Sequence, residues 1–348
     1  MTKNKSNLLI IKLLIIVFLS IPIYFLINKK DINTKTSNLT LCAQNLYNLG
    51  KNFRDPEFRL QTKAISNRIS TVDCDVVALQ EVFGRSREIA ERTIQVLIKT
   101  LQDEFDLTYE SYIADTNHNL LRNGFLIKKD LAKNIQLDSL NTIPLLKYNV
   151  EQVDSLFERG PARLNFSYQL NSNKQYTFSI TTFHFKSRTH GYLDKTGFYF
   201  ESDRLAMAET LRNLTEVDKA DFVFLIGDRN SKPQTASAKV LEGALKLESF
   251  ANGDCIITNA GYSYECQDLF LKQGNFIPLF YSEYQDEIDQ ATMGTSSFNG
   301  EKRLLDEILI RRDGLNILNK HDYSLGLFEE YSEASDHAMT FIKIKFKH

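Results

Sequence analysis

Tryptophan is absent, and the chain of 348 residues carries only four Cys and six His. No C-x-x-C pair and no H-x-x-x-H spacing occurs. A structural zinc site, which needs clustered nitrogen and sulfur ligands, is therefore disfavoured. Charge of one sign is not in excess either: 42 Lys and Arg face 44 Asp and Glu, a net charge of -2. That excludes a protein that coats nucleic acid through overall basicity, though not one with a local basic groove. No G-x-x-x-x-G-K-[ST] occurs, so nucleotide-driven motor chemistry has no phosphate cradle. No G-x-S-x-G occurs and no Cys has an evident base partner, which disfavours acyl transfer. With Trp missing, aromatic contacts fall to 15 Tyr and 24 Phe. The composition, 43% hydrophobic and 25% charged, is that of a globular protein and excludes wholesale disorder or a fibrous repeat.

What is present begins with LLIIKLLIIVFLSIPIYFLI at residues 8–27, interrupted only by Lys12, Ser20, Pro22 and Tyr24. A bilayer core of ~30 Å needs ~20 such residues in a helix. The segment has no polar face, so a buried amphipathic helix is excluded. Two readings stand: an uncleaved anchor, or a signal peptide that is cleaved to release a secreted protein. No A-x-A site follows the run, and Tyr24 with Phe25 is bulky for a cleavage region, so the anchor is preferred. Lys3, Lys5, Lys12 and the free amine on one side, against Lys29, Lys30 and Lys35 on the other, favour by a single charge the N-terminus inside and the remainder outside the cytoplasm.

Residues 1–30 are thus taken as anchor or signal, 31–38 as a polar linker, and 39–348 as one domain. Strands are expected at 39–45, 75–80, 108–114, 123–128, 162–170, 176–184, 221–227, 304–310 and 339–346. Some alternate with period two, such as MTFIKIKF; others, VVAL and FVFLI, are continuous apolar runs suited to burial on both faces. Helices are expected at 57–71, 86–102, 202–216 and 235–245 from apolar residues at three- and four-residue spacing. Strands mixed with helices imply an α/β or α+β fold in layers around an extensive sheet. Cys255 and Cys266 share one loop-like stretch and form a candidate disulfide, whereas Cys42 and Cys74, at or beside strands, read as buried thiols.

Strand after strand ends on a polar residue that no core requires. LTLCAQN ends at Asn45, DVVALQE at Glu81, FSITTFH at His184, and FVFLIGDRN at Asp228 and Asn230. Asp306 lies inside RLLDEILI, and SDH supplies Asp336 and His337 before the last strand. A single Asn after a strand is usually a turn residue, G-D-x-N alone is common turn chemistry, and an Asp-His pair is often a surface cap. In chain order and all at strand edges, they imply one rigidly held site. The chemistry suggested is phosphoryl transfer to water. Glu81 and Asp336 offer hard oxygens for Mg²⁺, Mn²⁺ or Ca²⁺, which would polarise a phosphoryl oxygen. His337 is a candidate general base with Asp306 fixing its tautomer. Asn230 and His184 can donate to phosphate oxygens.

This constellation resembles the endonuclease/exonuclease/phosphatase superfamily, the deoxyribonuclease I-like fold. The resemblance rests on AQN at 43–45, ALQEV at 78–82, ERGPARLNF at 158–166, FHFKS at 183–187, IGDRNSKP at 226–233, LLDEILI at 304–310 and SDHAM at 335–339. It implies a four-layer sandwich, two mixed sheets packed face to face with helices outside. It also implies roles: Glu81 as principal metal ligand, aided by Asn45 and Asp336; His184 and Asn230 on the phosphate; Asp228 on the attacking water; Asp306 orienting His337; Arg159 touching phosphate. The departures are Arg229, where the family usually has an apolar or aromatic residue, and Gln44, where an aromatic is common. Arg229 is expected to be solvated. No Tyr matches the family's active-site tyrosine, and Glu110 and Asp115 are the only candidate carboxylates for His184.

FHFKSRTH is similar to a segment of extracellular and membrane-associated nucleases of this group. Lys186, Arg188 and His190 after His184, with Arg85 and Arg87 after Glu81, are expected to grip a polyanion. The expected activity is that of a divalent-metal-dependent phosphodiesterase acting on DNA or RNA. Alternatives are a lipid or sugar-phosphate phosphoesterase, and a catalytically silent binding module.

Overall fold

The computed structural model describes residues 37–51, 55–147, 156–267, 273–298, 300–329 and 334–347. The expected apolar helix at 8–27 and most of the linker lie outside these residues. Among the described residues no helix is long and apolar enough to cross a membrane. Asn38–Lys347 forms one compact unit.

The strands are β1 (Ser37–Leu49), β2 (Val76–Phe83), β3 (Tyr109–Ile113), β4 (Leu121–Lys128), β5 (Lys133–Ser139), β6 (Ala162–Asn171), β7 (Lys174–His184), β8 (Phe222–Asp228), β9 (Cys255–Thr258), β10 (Ser263–Cys266), β11 (Phe276–Pro278), β12 (Ser296–Phe298), β13 (Glu301–Arg303), β14 (Asp306–Arg311), β15 (Asp322–Phe328) and β16 (Met339–Phe346). The helices are α1 (Pro56–Val72), α2 (Arg87–Phe105), α3 (Glu201–Glu216), α4 (Ala236–Glu242), α5 (Leu247–Ala251), α6 (Leu279–Glu283), α7 (Gln285–Asp289) and α8 (Arg312–Leu318). Two six-stranded sheets carry the fold, in the orders β15-β16-β1-β2-β4-β3 and β11-β14-β8-β7-β6-β5. Both are mixed: β1 and β2 run parallel, as do β7 and β8, while β15–β16, β2–β4, β3–β4, β5–β6, β6–β7, β8–β14 and β11–β14 are antiparallel.

Period-two alternation explains the layering. In β1, Leu39, Leu41 and Ala43 face the opposite sheet, where they meet Leu164, Phe178, Phe224 and Ile308. Cys42 and Leu46 point the other way, onto Ile65 and Ile69 of α1 and Ile94 and Leu97 of α2. Leu205 and Leu211 of α3, with Val240 of α4, cover Val223 and Leu225 of β8 on the far face. Burying each such side chain contributes ~1.5–3 kcal/mol. Helix ends are set by local chemistry: Asp55 caps α1 by accepting from the Glu57 amide at 3.0 Å, Pro56 takes the first turn, and Asp73 ends the helix in a left-handed conformation.

The nine expected strands and four expected helices are all present. The cysteines correct one reading. Cys255 and Cys266 are bonded, as the sequence suggested, but Cys42 and Cys74 are also bonded to each other rather than being buried thiols. The left-handed turn at Asp73 brings Cys74 back beneath α1, with its Cα 6.0 Å from that of Cys42.

Candidate active site

Three neighbouring strands of the second sheet place three side chains side by side. His184 at the end of β7 is in register with Asp228 at the end of β8, and Asp228 with Asp306 at the start of β14. Gly227 permits the close β7–β8 approach, because a Cβ there would run into the Phe183 carbonyl. From the first sheet come Asn45 and Glu81, each at a break in the regular ladder. Glu81 has a left-handed φ of 60°, as has Asn230 at 51°. Such backbone in a non-glycine residue costs on the order of 1 kcal/mol and re-aims the side chain. Gln80 donates to the Thr182 hydroxyl at 2.7 Å and ties the sheets together beneath the site.

The side chains converge. Asn45 Nδ2 donates to Glu81 Oε1 and to Asp228 Oδ2, both at 3.3 Å. The second Glu81 oxygen accepts from the Asn48 amide at 3.0 Å. Asn230 donates through its side chain to Asp228 Oδ2 at 3.2 Å and to the Phe185 carbonyl at 2.9 Å. His184 Nε2 lies 3.5 Å from Asp228 and 3.7 Å from Glu81, so these, rather than Glu110 or Asp115, are its carboxylate neighbours. His337 Nδ1 and Asp306 Oδ2 are hydrogen-bonded at 2.6 Å, while His337 Nε2 faces Asp228 Oδ2 at 4.0 Å. Asp336 is exposed at the rim. Arg159 donates to the Phe185 carbonyl at 2.8 Å, alongside Asn230.

Electrostatics follow from burial. Burial, then the neighbouring Asp306, pushes Asp228 up to about 7, with His337 opposing. Burial opposes charge on His337, but Asp306, Asp228 and Asp336 outweigh it and raise it to about 10. His184 is held well below its usual value, first by burial and then by Arg159, His337 and His118, and is neutral. Burial raises Glu81 against the pull of Arg159 and His337. Four carboxylates, Glu81, Asp228, Asp306 and Asp336, thus share this site with His337, and a divalent cation would offset the cost of keeping the buried ones charged. Glu81 and Asp336 provide hard oxygens for such an ion, whereas Asn45 turns its amide nitrogen to Glu81 and Asp228 and its oxygen accepts from the Tyr47 amide at 3.0 Å. Asp228, Asp306 and His337 also lie close enough to serve as a ligand group, but the short Asp306–His337 bond already engages two of them.

Other expected site residues sit elsewhere. The Arg188 guanidinium lies 3.9 Å from the Tyr262 ring and donates to the Ala260 and Gly261 carbonyls at 2.6 and 3.2 Å. It staples the loop after β7 to the β9–β10 hairpin. The Lys186 ammonium lies over the Phe200 ring at 4.5 Å. Arg87 pairs with Glu91 at 2.9 Å along α2. Arg229 is not solvated but 1% exposed, with its guanidinium 3.3 Å from the Leu304 carbonyl and 3.9 Å from Glu307.

Sequence reasoning missed Arg68. This buried residue of α1 donates to Gln44 Oε1 at 3.1 Å and to the His337 carbonyl at 2.9 Å. Gln44 thus replaces an aromatic with a link between the Asn45 strand and the His337 segment. The available signal was a charged residue on the Ile65–Ile69–Val72 stripe of a helix.

No family model and no curated protein matches this sequence. Solved structures do resemble the fold. An endonuclease/exonuclease/phosphatase family protein from Leptotrichia buccalis superposes with TM-score 0.52 at 14% identity, covering 88% of this chain and all of that one. The human Nocturnin catalytic domain with bound sulfate anion gives 0.51 at 15% identity, covering 90% and 98%. D. rerio TDP2 complexed with single strand DNA product gives 0.50 at 12% identity, covering 89% and 100%.

Proposed function

The chain has the endonuclease/exonuclease/phosphatase fold, and from that premise we propose that it is a divalent-metal-dependent phosphodiesterase cleaving nucleic acid by in-line attack of water. The observation that carries this is the junction of the two sheets, where the Asp306–His337 pair, Asp228, His184, Asn230, Asn45 and Glu81 share one site. Mg²⁺ or Mn²⁺ held by Glu81 and Asp336, with Asn45 orienting Glu81 through its amide nitrogen, would stabilise charge on the phosphoryl and leaving oxygens. Asp306 holds the His337 ring so that Nε2 faces the Asp228 carboxylate at 4.0 Å, and a water beside the pair can reach both groups. Asp228 and His337 are the groups that position that water and take its proton. The charge that raises His337 is partly the charge a divalent cation neutralises, so binding one frees the imidazole to act as a base. Neutral His184, Asn230 and Arg159 donate to the non-bridging oxygens.

We also place this catalytic unit outside the cytoplasm, tethered through residues 8–27. Two disulfides, which persist in oxidising compartments, support that placement. The resemblance of the fold to a protein complexed with a single-strand DNA product supports nucleic acid as substrate. A lipid phosphoesterase is the second reading, supported by Tyr192 and Leu193, which are 74% and 67% exposed on the loop after β7.

The test is a parallel hydrolysis assay on plasmid DNA, RNA, sphingomyelin and phosphoinositides. Nucleic acids should be cleaved with Mg²⁺ or Mn²⁺, cleavage should cease in excess chelator, and it should return when the ion is restored. Full activity in chelator would remove the metal-assisted mechanism, and cleavage of sphingomyelin alone would move the substrate to the second reading.

A further inference from the structure

A second polar cleft of about 430 Å³, lined by Arg85, Thr116, Asn117, His118, Asn119, Leu120 and Arg122, adjoins the site. We propose that it holds the backbone phosphate next to the scissile one in a polynucleotide, which gives the enzyme a grip on chain rather than on an isolated ester. This rests on the nuclease reading above and specifies how that substrate is held.

Its connection to the site is direct. His118 Nε2 lies 3.6 Å from Glu158, the residue before Arg159, and Arg159 shares the Phe185 carbonyl with Asn230. A chain whose scissile phosphate contacts Arg159 and Asn230 continues along the Glu158 wall into the cleft.

The lining suits a phosphate. Arg122 is 8% exposed, and its Nε has no hydrogen-bond partner among the described residues. A guanidinium taken out of water with an unmet donor favours an anionic acceptor. Arg85 is exposed and has neither an ion pair nor a hydrogen bond among the described residues. The acids nearby are partly committed: Asp115 faces Arg87 at 4.0 Å, and Glu158 faces His118. His118 Nδ1 accepts from the Leu120 and Leu121 amides at 3.1 and 2.9 Å. The proton of the neutral ring is therefore on Nε2, where it is a donor. Thr116 donates to the Glu158 carbonyl and Asn117 to the Phe157 carbonyl, at 3.2 and 2.9 Å, so the wall is fixed before a ligand arrives. No Phe, Tyr or Trp ring lines the cleft among the described residues, which fits a sugar-phosphate backbone better than a stacked base.

The experiment uses the full-length chain in detergent with Mg²⁺, a fluorescein-labelled single-stranded octanucleotide, and bis(p-nitrophenyl) phosphate as a minimal diester. Arg85→Ala should raise the ratio of the octanucleotide KM to the minimal-diester KM about fivefold to tenfold. The same variant should reduce the salt slope of octanucleotide binding by about one, measured by fluorescence anisotropy. Lys219→Ala removes the same charge beyond the start of β8, the end opposite Asp228, and should leave both readouts at wild-type values. If the wild type cleaves the octanucleotide and Arg85→Ala matches it in ratio and slope, the cleft assignment fails while the nuclease reading stands. If the wild type neither binds nor cleaves the octanucleotide, the nuclease reading fails and takes this assignment with it.

Discussion

His337 and Asp306 come from segments 31 residues apart in sequence yet share a buried 2.6 Å hydrogen bond, and that bond sets the first expectation. His337→Ala removes the proton-accepting ring and should lower kcat ~10²–10⁴-fold with little change in KM, because a general base acts in the transition state. Asp306→Asn leaves the ring in place and loosens its orientation, so its loss should be smaller. Steady-state kinetics on one nucleic-acid substrate decides it, and an unimpaired His337→Ala enzyme would refute the assignment. Glu307, the next residue in the chain, has a structural role. It accepts the Phe280, Tyr281 and Ile308 amides and neighbours Arg229. Burial pushes it up to about 7 from an ordinary 4.5, against the pull of Arg229 and those amides. Between those values the folded protein keeps a proton that the unfolded chain has lost. Stability should therefore fall as pH rises through this window, by at most about 1.4 kcal/mol per pH unit from this group. Glu307→Gln should flatten that part of the slope in urea denaturation followed across the window, and an unchanged slope would show that Glu307 is ionised throughout. These neighbours also show what a sequence can and cannot disclose. Asp306 was legible because an acid inside an apolar run demands a partner. The burial of Arg229 was not, because Glu307 and the Leu304 carbonyl reach it only after β8 and β14 pair.

At the scale of elements, legibility tracked burial. Strands buried on both faces, such as β8, and regularly alternating ones, such as β16, were legible from their patterns. The edge strands β5 and β15 were not, although β3, also at an edge, was. KNIQLDS of β5 is exposed or half-buried along its whole length, and DYSLGLF of β15 carries a Gly and little apolar contrast. The described residues between 246 and 303 form elements of three to five residues, too short for either period to register. The Cys42–Cys74 bond escaped for a different reason: the pairing depends on the turn at Asp73, which the spacing of the cysteines does not contain. That bond closes a separation of 32 residues, against 11 for Cys255–Cys266. By loop-closure entropy the first should contribute about 3–4 kcal/mol and the second about 1 kcal/mol less. Cys42→Ala with Cys74→Ala should accordingly lower the denaturation midpoint more than Cys255→Ala with Cys266→Ala. The reverse order would mean that the bond beneath α1 does not constrain the unfolded chain as its loop length implies.

For the molecule as a whole, the site exists because two sheets meet. Asn45 and Glu81 belong to the first sheet, and His184, Asp228 and Asp306 to the second, so no single layer contains the chemistry. What holds the layers together is the aromatic and aliphatic cluster between them, whose members run from Leu39 to Phe346. Among the described residues, the two outer clusters under the helices run from Cys42 to Met339. Residues 8–27 lie outside the described residues, and their apolar run matches the needs of a bilayer. A chain beginning at residue 31 should therefore fold without detergent, keep a Tm within a few degrees, roughly 2–4 °C, of the full chain in detergent, and retain its kcat on a soluble substrate. Circular dichroism melts and size-exclusion chromatography of the two chains make the comparison. Aggregation of the shortened chain beside a well-folded full chain would mean that the apolar run completes the core, and the anchor reading would then have to be given up along with the extracytoplasmic placement that depends on it.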